Sequence, residues 1–449
     1  MIKTRFAPSP TGWLHIGGVR TALFSWLFSR NQKGQFFLRI DDTDTTRSSK
    51  EYCEAIISAL NSLGLNNDGN IIYQSTRFET YINQIEQLLN SGNAYYDKID
   101  INKKTKDTNL DIQFPNRLNK EGHVIRFKNQ KEHQVKIHDL VHGEISFNPK
   151  SFHDVVILRS NGVPTYNLTS VVDDIEFEIS HIIRGDDHLS NTAVQINIFN
   201  AFASNVPSFA HLPMIHGKDG KRLSKRHGAI DITSFINEGY LPEALVNYLA
   251  RTGWSHGDQE IFSIDELVKL FTLERVTKSA AIFDHDKLNW LNQHYIKSKN
   301  IADVSKMILP YLDELNIKVN DEKFLEKILE LGIEREFSLK KIAKSLTYYF
   351  LDDMTYDLEI IKKIDKKLIA TILDKTIEKF TSVDFDKKEN ISEAMKARCG
   401  ELGMKLSEVG PVIRFALTGK LKAPSIDDLC FVLGIESTLK RLNELKLVI

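Results

Sequence analysis

Lys3-Thr4-Arg5-Phe6-Ala7-Pro8-Ser9-Pro10-Thr11-Gly12-Trp13-Leu14-His15-Ile16-Gly17-Gly18 is the stretch on which the fold turns. Lys3 to Phe6 reads as a short extended segment, and Ala7 to Gly12 is rich in turn-forming residues. Beyond it Val19, Leu23, Trp26 and Leu27 fall on one side of a helix. The order is strand, loop, helix. Phe36-Phe37-Leu38-Arg39-Ile40 then reads as a buried strand that delivers Asp41-Asp42-Thr43-Asp44 from its carboxyl end, as strands of a parallel sheet do. An α/β sheet therefore opens the chain.

A helix N-terminus exposes free N–H groups and the positive end of the helix dipole, so His15 is placed to donate to a phosphate. Gly17 and Gly18 would let an adenine or ribose approach the backbone. The plainer reading is a tight loop whose histidine only caps or packs. A second stretch, Gly217-Lys218-Asp219-Gly220-Lys221-Arg222-Leu223-Ser224-Lys225-Arg226-His227-Gly228, concentrates cations in a glycine-flanked loop. Such cations could neutralise a triphosphate as charge moves toward the departing diphosphate, although most basic runs, taken alone, are solvated turns. The pairing of the two stretches favours the phosphate reading for both.

The rest of the chain sets bounds. At 449 residues, 42% hydrophobic and 27% charged, it has the composition of a soluble globular protein. At about 100 to 200 residues per domain, the length accommodates two to four domains. Net charge is -1, so a nucleic-acid partner would have to be met by local basic surface. Cys53, Cys399 and Cys430 form no Cys-x-x-Cys pair, which argues against a disulfide framework or a thiolate metal site and for a reducing, cytoplasmic compartment. No signal peptide or membrane span is expected. Between Lys98 and Lys136 the periodicity fades and ten Lys and Arg face five Asp and Glu, the mark of an insertion. The strand-like pieces His153 to Leu158 and Ile179 to Arg184, the second followed by Gly185-Asp186-Asp187-His188, are expected to resume the sheet. After about residue 300 the pattern is helical. Phe324, Ile328 and Leu331 precede an expected C-cap at Gly332, and Leu339, Ile342, Leu346 and Tyr349 repeat the spacing. Ser425 with Asp428 resembles a capping box that opens a last helix through Leu429, Val432 and Leu433.

Taken together, the His15 stretch and the Arg222 to Arg226 stretch resemble the HIGH and KMSKS signatures of class I aminoacyl-tRNA synthetases. Arg5-Phe6-Ala7-Pro8-Ser9-Pro10-Thr11-Gly12, Leu38-Arg39-Ile40-Asp41-Asp42-Thr43-Asp44, Thr165-Tyr166-Asn167, Ile183-Arg184-Gly185-Asp186-Asp187-His188 and Leu223-Ser224-Lys225-Arg226-His227-Gly228-Ala229 look like the bacterial glutamyl-tRNA synthetases. The likeness runs along nearly the whole chain and is densest between residues 1 and 295.

The resemblance implies an α/β Rossmann-type catalytic domain with an inserted acceptor-binding domain, followed by an all-α C-terminal region. The expected divisions are 1–95 and 151–215 for the two catalytic halves, 96–150 for the insertion, 216–298 for a connecting domain with the KMSKS-like loop, and 299–449 for helical anticodon binding. It implies ATP with Mg2+ as substrate, held by Gly17, Gly18, Asp187, Arg222, Ser224 and Lys225, with His15 and Lys225 catalytic. It places glutamate among Arg5, Ala7, Ser9, Asp41, Tyr166 and Arg184. Two arginines suit a carboxylate, being planar and permanently charged; their competing use is internal pairing with Asp42, Asp44 or Asp186. The implied partners are tRNA(Glu), with tRNA(Gln) left open, and the implied state is a monomer.

This chain departs from the family in carrying Asp41 where Glu is common, and Arg222 where Lys is usual. Tyr95-Tyr96-Asp97-Lys98-Ile99 stands where many relatives have Cys-x-Cys zinc ligands. No structural zinc is expected, since Asp97, Asp100, His123 and His133 make a poor ligand set. The alternatives are a glutaminyl-tRNA synthetase, opposed by the Pro8 to Gly12 loop and the helical C-terminal third; a small nucleotidyltransferase, which leaves residues 300 to 449 without a role; and a non-catalytic tRNA-binding protein, opposed by two intact signatures.

Overall fold

The computed structural model describes residues 1–44, 47–99, 114–130, 134–148, 152–223, 231–357 and 365–449. They form two units, Met1–Leu291 and Asn292–Ile449.

The first unit starts as the sequence suggests. Strand β1 (Lys3–Phe6) leads through the proline loop into helix α1 (Ile16–Asn31), which returns the chain to β2 (Gln35–Ile40). Val19, Leu23, Phe24 and Leu27 of α1 are completely buried, so the helix is clamped over the sheet along its length. β1 and β2 pair in parallel with Arg5 opposite Phe37. Helix α2 (Lys50–Ser62) carries the chain to β3 (Ile72–Tyr73), which extends the parallel sheet beyond β2.

Helix α3 (Phe78–Asn90) precedes β4 (Ala94–Lys98) and β5 (His123–Phe127). A hairpin of β6 (Val135–Asp139) and β7 (Gly143–Phe147) follows, then β8 (Val156–Leu158) and helix α4 (Tyr166–Glu176). The strands divide between two sheets. β4, β5 and β8 form an antiparallel sheet, whereas β6 pairs in parallel with β10 (Ser208–Leu212), which lies beside β9 (His181–Gly185). Helix α5 (Leu189–Ala201) joins β9 to β10.

The expectation that His153 to Leu158 rejoin the parallel sheet is thus corrected. β8 sits antiparallel to β5, and Ile157 is buried with Tyr81, Ile85, Phe127, Val171 and Phe199. A short apolar run satisfies either kind of burial, and its periodicity does not distinguish them. The other expected strand does join the parallel sheet as β9.

On its other side β1 meets β9, where the Ser180 N–H donates to the Lys3 carbonyl at 3.0 Å. Chain order therefore runs outward in opposite directions from the β1/β9 boundary, through β2 and β3 one way and through β10 the other. Such a switch point opens a crevice at the carboxyl ends of the strands, the place where open α/β sheets bind ligands. Further on, β11 (Ile215–His216) pairs with β12 (Ala281–Ile282), and helices α6 (Ile232–Asn237), α7 (Pro242–Arg251) and α8 (Ile264–Leu270) lie between them in sequence.

In the second unit the described residues form helices at Ile301–Glu314, Glu322–Ile333, Leu339–Leu346, Lys366–Phe380, Lys388–Leu402, Leu406–Thr418 and Ile426–Val448. Ser425 caps the last of these by accepting the Asp428 N–H at 3.2 Å, as its spacing suggests. Gly332 is not a C-cap. It lies inside its helix, where an added Cβ would stand 3.1 Å from Ile342 and 3.2 Å from Leu346, so the glycine serves close helix approach. Among the described residues no helix is long and apolar enough to cross a membrane.

Candidate active site

The loop between β1 and α1 is fixed at both edges. The Asp41 N–H donates to the Pro8 carbonyl at 2.9 Å, and the Ser49 N–H donates to Pro10 at 3.1 Å, which holds Ala7 to Pro10 against the end of β2. His15 is the N-cap of α1, its Nδ1 accepting the Gly18 N–H at 3.2 Å. An imidazole that accepts at Nδ1 is neutral and carries its proton on Nε2, so it presents a donor at the helix's positive end. Desolvation and the Arg222 charge hold His15 below the ordinary histidine value, against the pull of Asp187. Gly17 has a local purpose, because a Cβ there would come within 3.0 Å of the His15 ring.

Asp187 follows β9, and its carboxylate meets Arg222 at 3.4 Å. Asp187, Arg222 and His15 are therefore electrostatic neighbours. Lys218, in the same basic stretch, is occupied by Asp286 at 3.0 Å and Asp284 at 3.3 Å. Ser224 and Lys225 lie outside the described residues.

Deeper in the crevice is a charge cluster that the sequence reveals only in part. Arg5 leaves β1 and pairs with Asp174 of α4, Nε to Oδ1 at 3.1 Å. Arg39, 2% exposed, spans Asp41 at 2.7 Å and Asp174 at 2.8 Å. Asp173 accepts from Arg77, Gln74 and Tyr81. Asp174 thus replaces the expected internal partners of Arg5. Asp42 is engaged by the Ser75 N–H and hydroxyl, and Asp44 by Arg47. Burial pushes the Asp41 carboxyl up to about 6, with Arg39 opposing. Both Asp41 oxygens accept from Arg39, so this shortened acid is braced by its neighbour two residues back.

Arg184 differs from every other guanidinium in this cluster. It is 5% exposed, and its partners are the Tyr166 hydroxyl at 3.3 Å, Thr192 Oγ1 at 2.7 Å and His211 Nε2 at 3.3 Å. All three are uncharged groups. Among the described residues no carboxylate pairs directly with it; burial lowers its pKa, while Asp174, already held by Arg5 and Arg39, pulls on it only through space. A buried cation without a counter-ion is costly unless a ligand supplies one.

The structure therefore joins Tyr166 to Arg184, places Arg5 and Asp41 in one ion network through Arg39 and Asp174, and sets His15 beside Asp187 and Arg222. Ala7 is half-buried and Ser9 exposed on the loop above. Arg39, Asp173, Asp174, Thr192 and His211 were not singled out by sequence reading. The acidic pair following the apolar Val171-Val172 in α4 was the available signal for two of them. In the inserted strands Tyr95 donates to Asp154 and Tyr96 to the Leu118 carbonyl, both at 3.0 Å, and Asp97 accepts from Arg126 at 2.6 Å.

Comparison with known proteins gives concordant matches. Residues 1–290 match the family described as tRNA synthetases class I (E and Q), catalytic domain, and residues 272–446 match the anticodon binding domain. A glutamate–tRNA ligase of Francisella tularensis subsp. novicida is 42% identical, over 99% of this chain and 98% of its own length. Glutamate–tRNA ligase 1 of Coxiella burnetii is 43% identical over 98% and 97%. The crystal structure of a glutamate–tRNA ligase from Elizabethkingia meningosepticum in complex with its amino acid superposes with a TM-score of 0.82 at 31% identity, covering 99% and 98% of the two chains.

Proposed function

The chain belongs to the class I tRNA synthetases of the glutamate and glutamine type, and from that premise we propose that Arg184 selects its amino acid. The activity is that of a glutamate–tRNA ligase. The glutamate α-carboxylate attacks the α-phosphate of ATP and diphosphate leaves; a terminal ribose hydroxyl of tRNA then takes the acyl group from the resulting adenylate, and AMP leaves.

The observation that carries the selection is the set of uncharged partners around a buried guanidinium. Glutamate and glutamine have nearly the same shape, so charge must separate them. A side-chain carboxylate would complete the Arg184 ion pair, whereas an amide would bring an N–H₂ toward donors and leave the cation unmatched. Arg5, already neutralised by Asp174, has a secondary part, with Ala7, Ser9, Asp41 and Tyr166 around the same ligand. The glutamine-specific alternative is not favoured, because the full-length relatives from Francisella and Coxiella are glutamate enzymes.

On the nucleotide side, Mg2+-bound ATP is proposed to lie over the α1 N-terminus. Gly17 and Gly18 would border it, the His15 Nε2–H would donate to phosphate, Asp187 would face the ribose, and Arg222, Ser224 and Lys225 would meet the triphosphate. His15 and Lys225 act by stabilising charge in the transition state, not as acid or base. The antiparallel β4-β5-β8 sheet and the basic residues around it are proposed to hold the acceptor arm of tRNA(Glu), and the second unit its anticodon.

Paired glutamate and glutamine charging tests the selection. Arg184→Ala should raise the KM for glutamate and erode its preference over glutamine by about 10²-fold, the effect of removing a buried charge from its ligand, with the KM for ATP little changed. Arg184→Lys should also be impaired, since it keeps the charge but loses the planar fork. Wild-type discrimination in both variants would reject the assignment.

A further inference from the structure

Behind Arg184 lies a buried chain of polar groups to which the reaction as described gives no task. His211 on β10 and Asp139 at the end of β6 are both wholly buried, with Nδ1 and Oδ2 separated by 2.6 Å. Asp139 is itself fixed by the N–H groups of Val141 and His142, each at 2.9 Å, and by the His211 N–H at 3.1 Å. On the other edge of the ring, Nε2 receives Arg184 Nε at 3.3 Å and lies 2.9 Å from Thr192 Oγ1, which in turn accepts from Arg184 Nη2 at 2.7 Å.

The hydrogen-bond directions admit one consistent assignment. A guanidinium only donates, so His211 Nε2 must accept, and the ring proton must lie on Nδ1, facing the carboxylate. Asp139 selects that tautomer just as a carboxylate behind a histidine does elsewhere in enzymes. Burial keeps His211 below the ordinary histidine value, while hydrogen bonds from His211 and the turn hold Asp139 below the carboxylate range despite its burial.

We propose that His211, oriented by Asp139, is a positioning residue for amino-acid selection: through Nε2 and Thr192 it fixes the Arg184 guanidinium with neutral acceptors, leaving its charge for the substrate carboxylate. The inference rests on the reading of Arg184 as the selecting cation. A carboxylate in the place of His211 would hold the guanidinium equally well but would neutralise it. A hydrocarbon would leave it unheld. The imidazole holds it and leaves its charge intact. The relay also makes β6, which pairs in parallel with β10, a supporting wall of the pocket.

The test is steady-state charging by the full chain with glutamate and ATP varied separately, accompanied by thermal melts. His211→Leu removes the acceptor and should raise the KM for glutamate about tenfold or more with the KM for ATP within about twofold. His211→Gln, whose amide oxygen can accept from Arg184, should restore most of the loss. Asp139→Asn provides a second route: its N–H₂ would turn His211 Nδ1 into an acceptor and direct Nε2–H at Arg184, again raising the glutamate KM selectively. A folded His211→Leu and a folded Asp139→Asn that both keep the wild-type glutamate KM would overturn the proposal. Loss of the fold in both would overturn it too, leaving the pair as a strut between β6 and β10. Arg184→Ala in the same assay separates the two ideas. If it raises the glutamate KM and the His211 and Asp139 variants do not, only the relay fails; if it changes nothing, the reading of Arg184 fails first.

Discussion

At the scale of single residues, His15 has two separable tasks. Its Nδ1 caps α1 by accepting the Gly18 N–H, and its Nε2–H is the group proposed to face phosphate. His15→Ala should lose both, with charging down about 10²-fold and stability lower by about 1 kcal/mol from the missing cap. Asn is a good N-cap, so His15→Asn should be as inactive as the alanine variant yet melt close to wild type. An active His15→Asn enzyme would remove the imidazole from the phosphate site. The family likeness pointed to Arg5, Tyr166, Arg184 and His15, but the groups that hold these residues were hidden. Internal partners for Arg5 were sought among acids close to the motifs, whereas Asp174 is 169 residues away along the chain. His211 and Asp139 are 72 residues apart. Packing of a helix against β1 brings the first pair together and adjacency of β6 and β10 the second, and one sequence displays neither.

At the scale of elements, β1, α1, β2, β9 and the C-terminal helices were legible because each carries a periodic apolar pattern with polar residues at its ends. The placements that failed were those in which one signal serves two environments. β8 is an apolar run that fits a parallel strand, yet it closes the antiparallel sheet against α3, α4 and α5. Gly332, one residue past an apolar repeat, looks like a helix terminator but is a contact surface. The consequence is measurable. A Cβ at Gly332 would already crowd Ile342 and Leu346, so the branched side chain of Gly332→Val should destabilise by about 1 to 3 kcal/mol, the usual range for overpacking. Chemical denaturation of the full chain should show the loss in the helical unit. Unchanged stability would contradict the role of Gly332 in close helix approach.

At the scale of the whole molecule, the chain assigns its chemistry to Met1–Leu291, where the β1/β9 switch point collects groups from β1 and the His15 loop, the end of β2, helix α4, β9 with the turn into α5, and the Arg222 stretch. None of the described residues of Asn292–Ile449 is among the groups of that cluster. The central claim is that this crevice activates glutamate, with the unpaired Arg184 charge as the reason glutamine is refused. Amino-acid-dependent exchange of labelled diphosphate into ATP, run on the full chain with unfractionated tRNA present, tests this most directly. The account predicts exchange that depends on glutamate and is not supported by glutamine at equal concentration. Exchange supported equally by glutamine, or by neither amino acid, would contradict it.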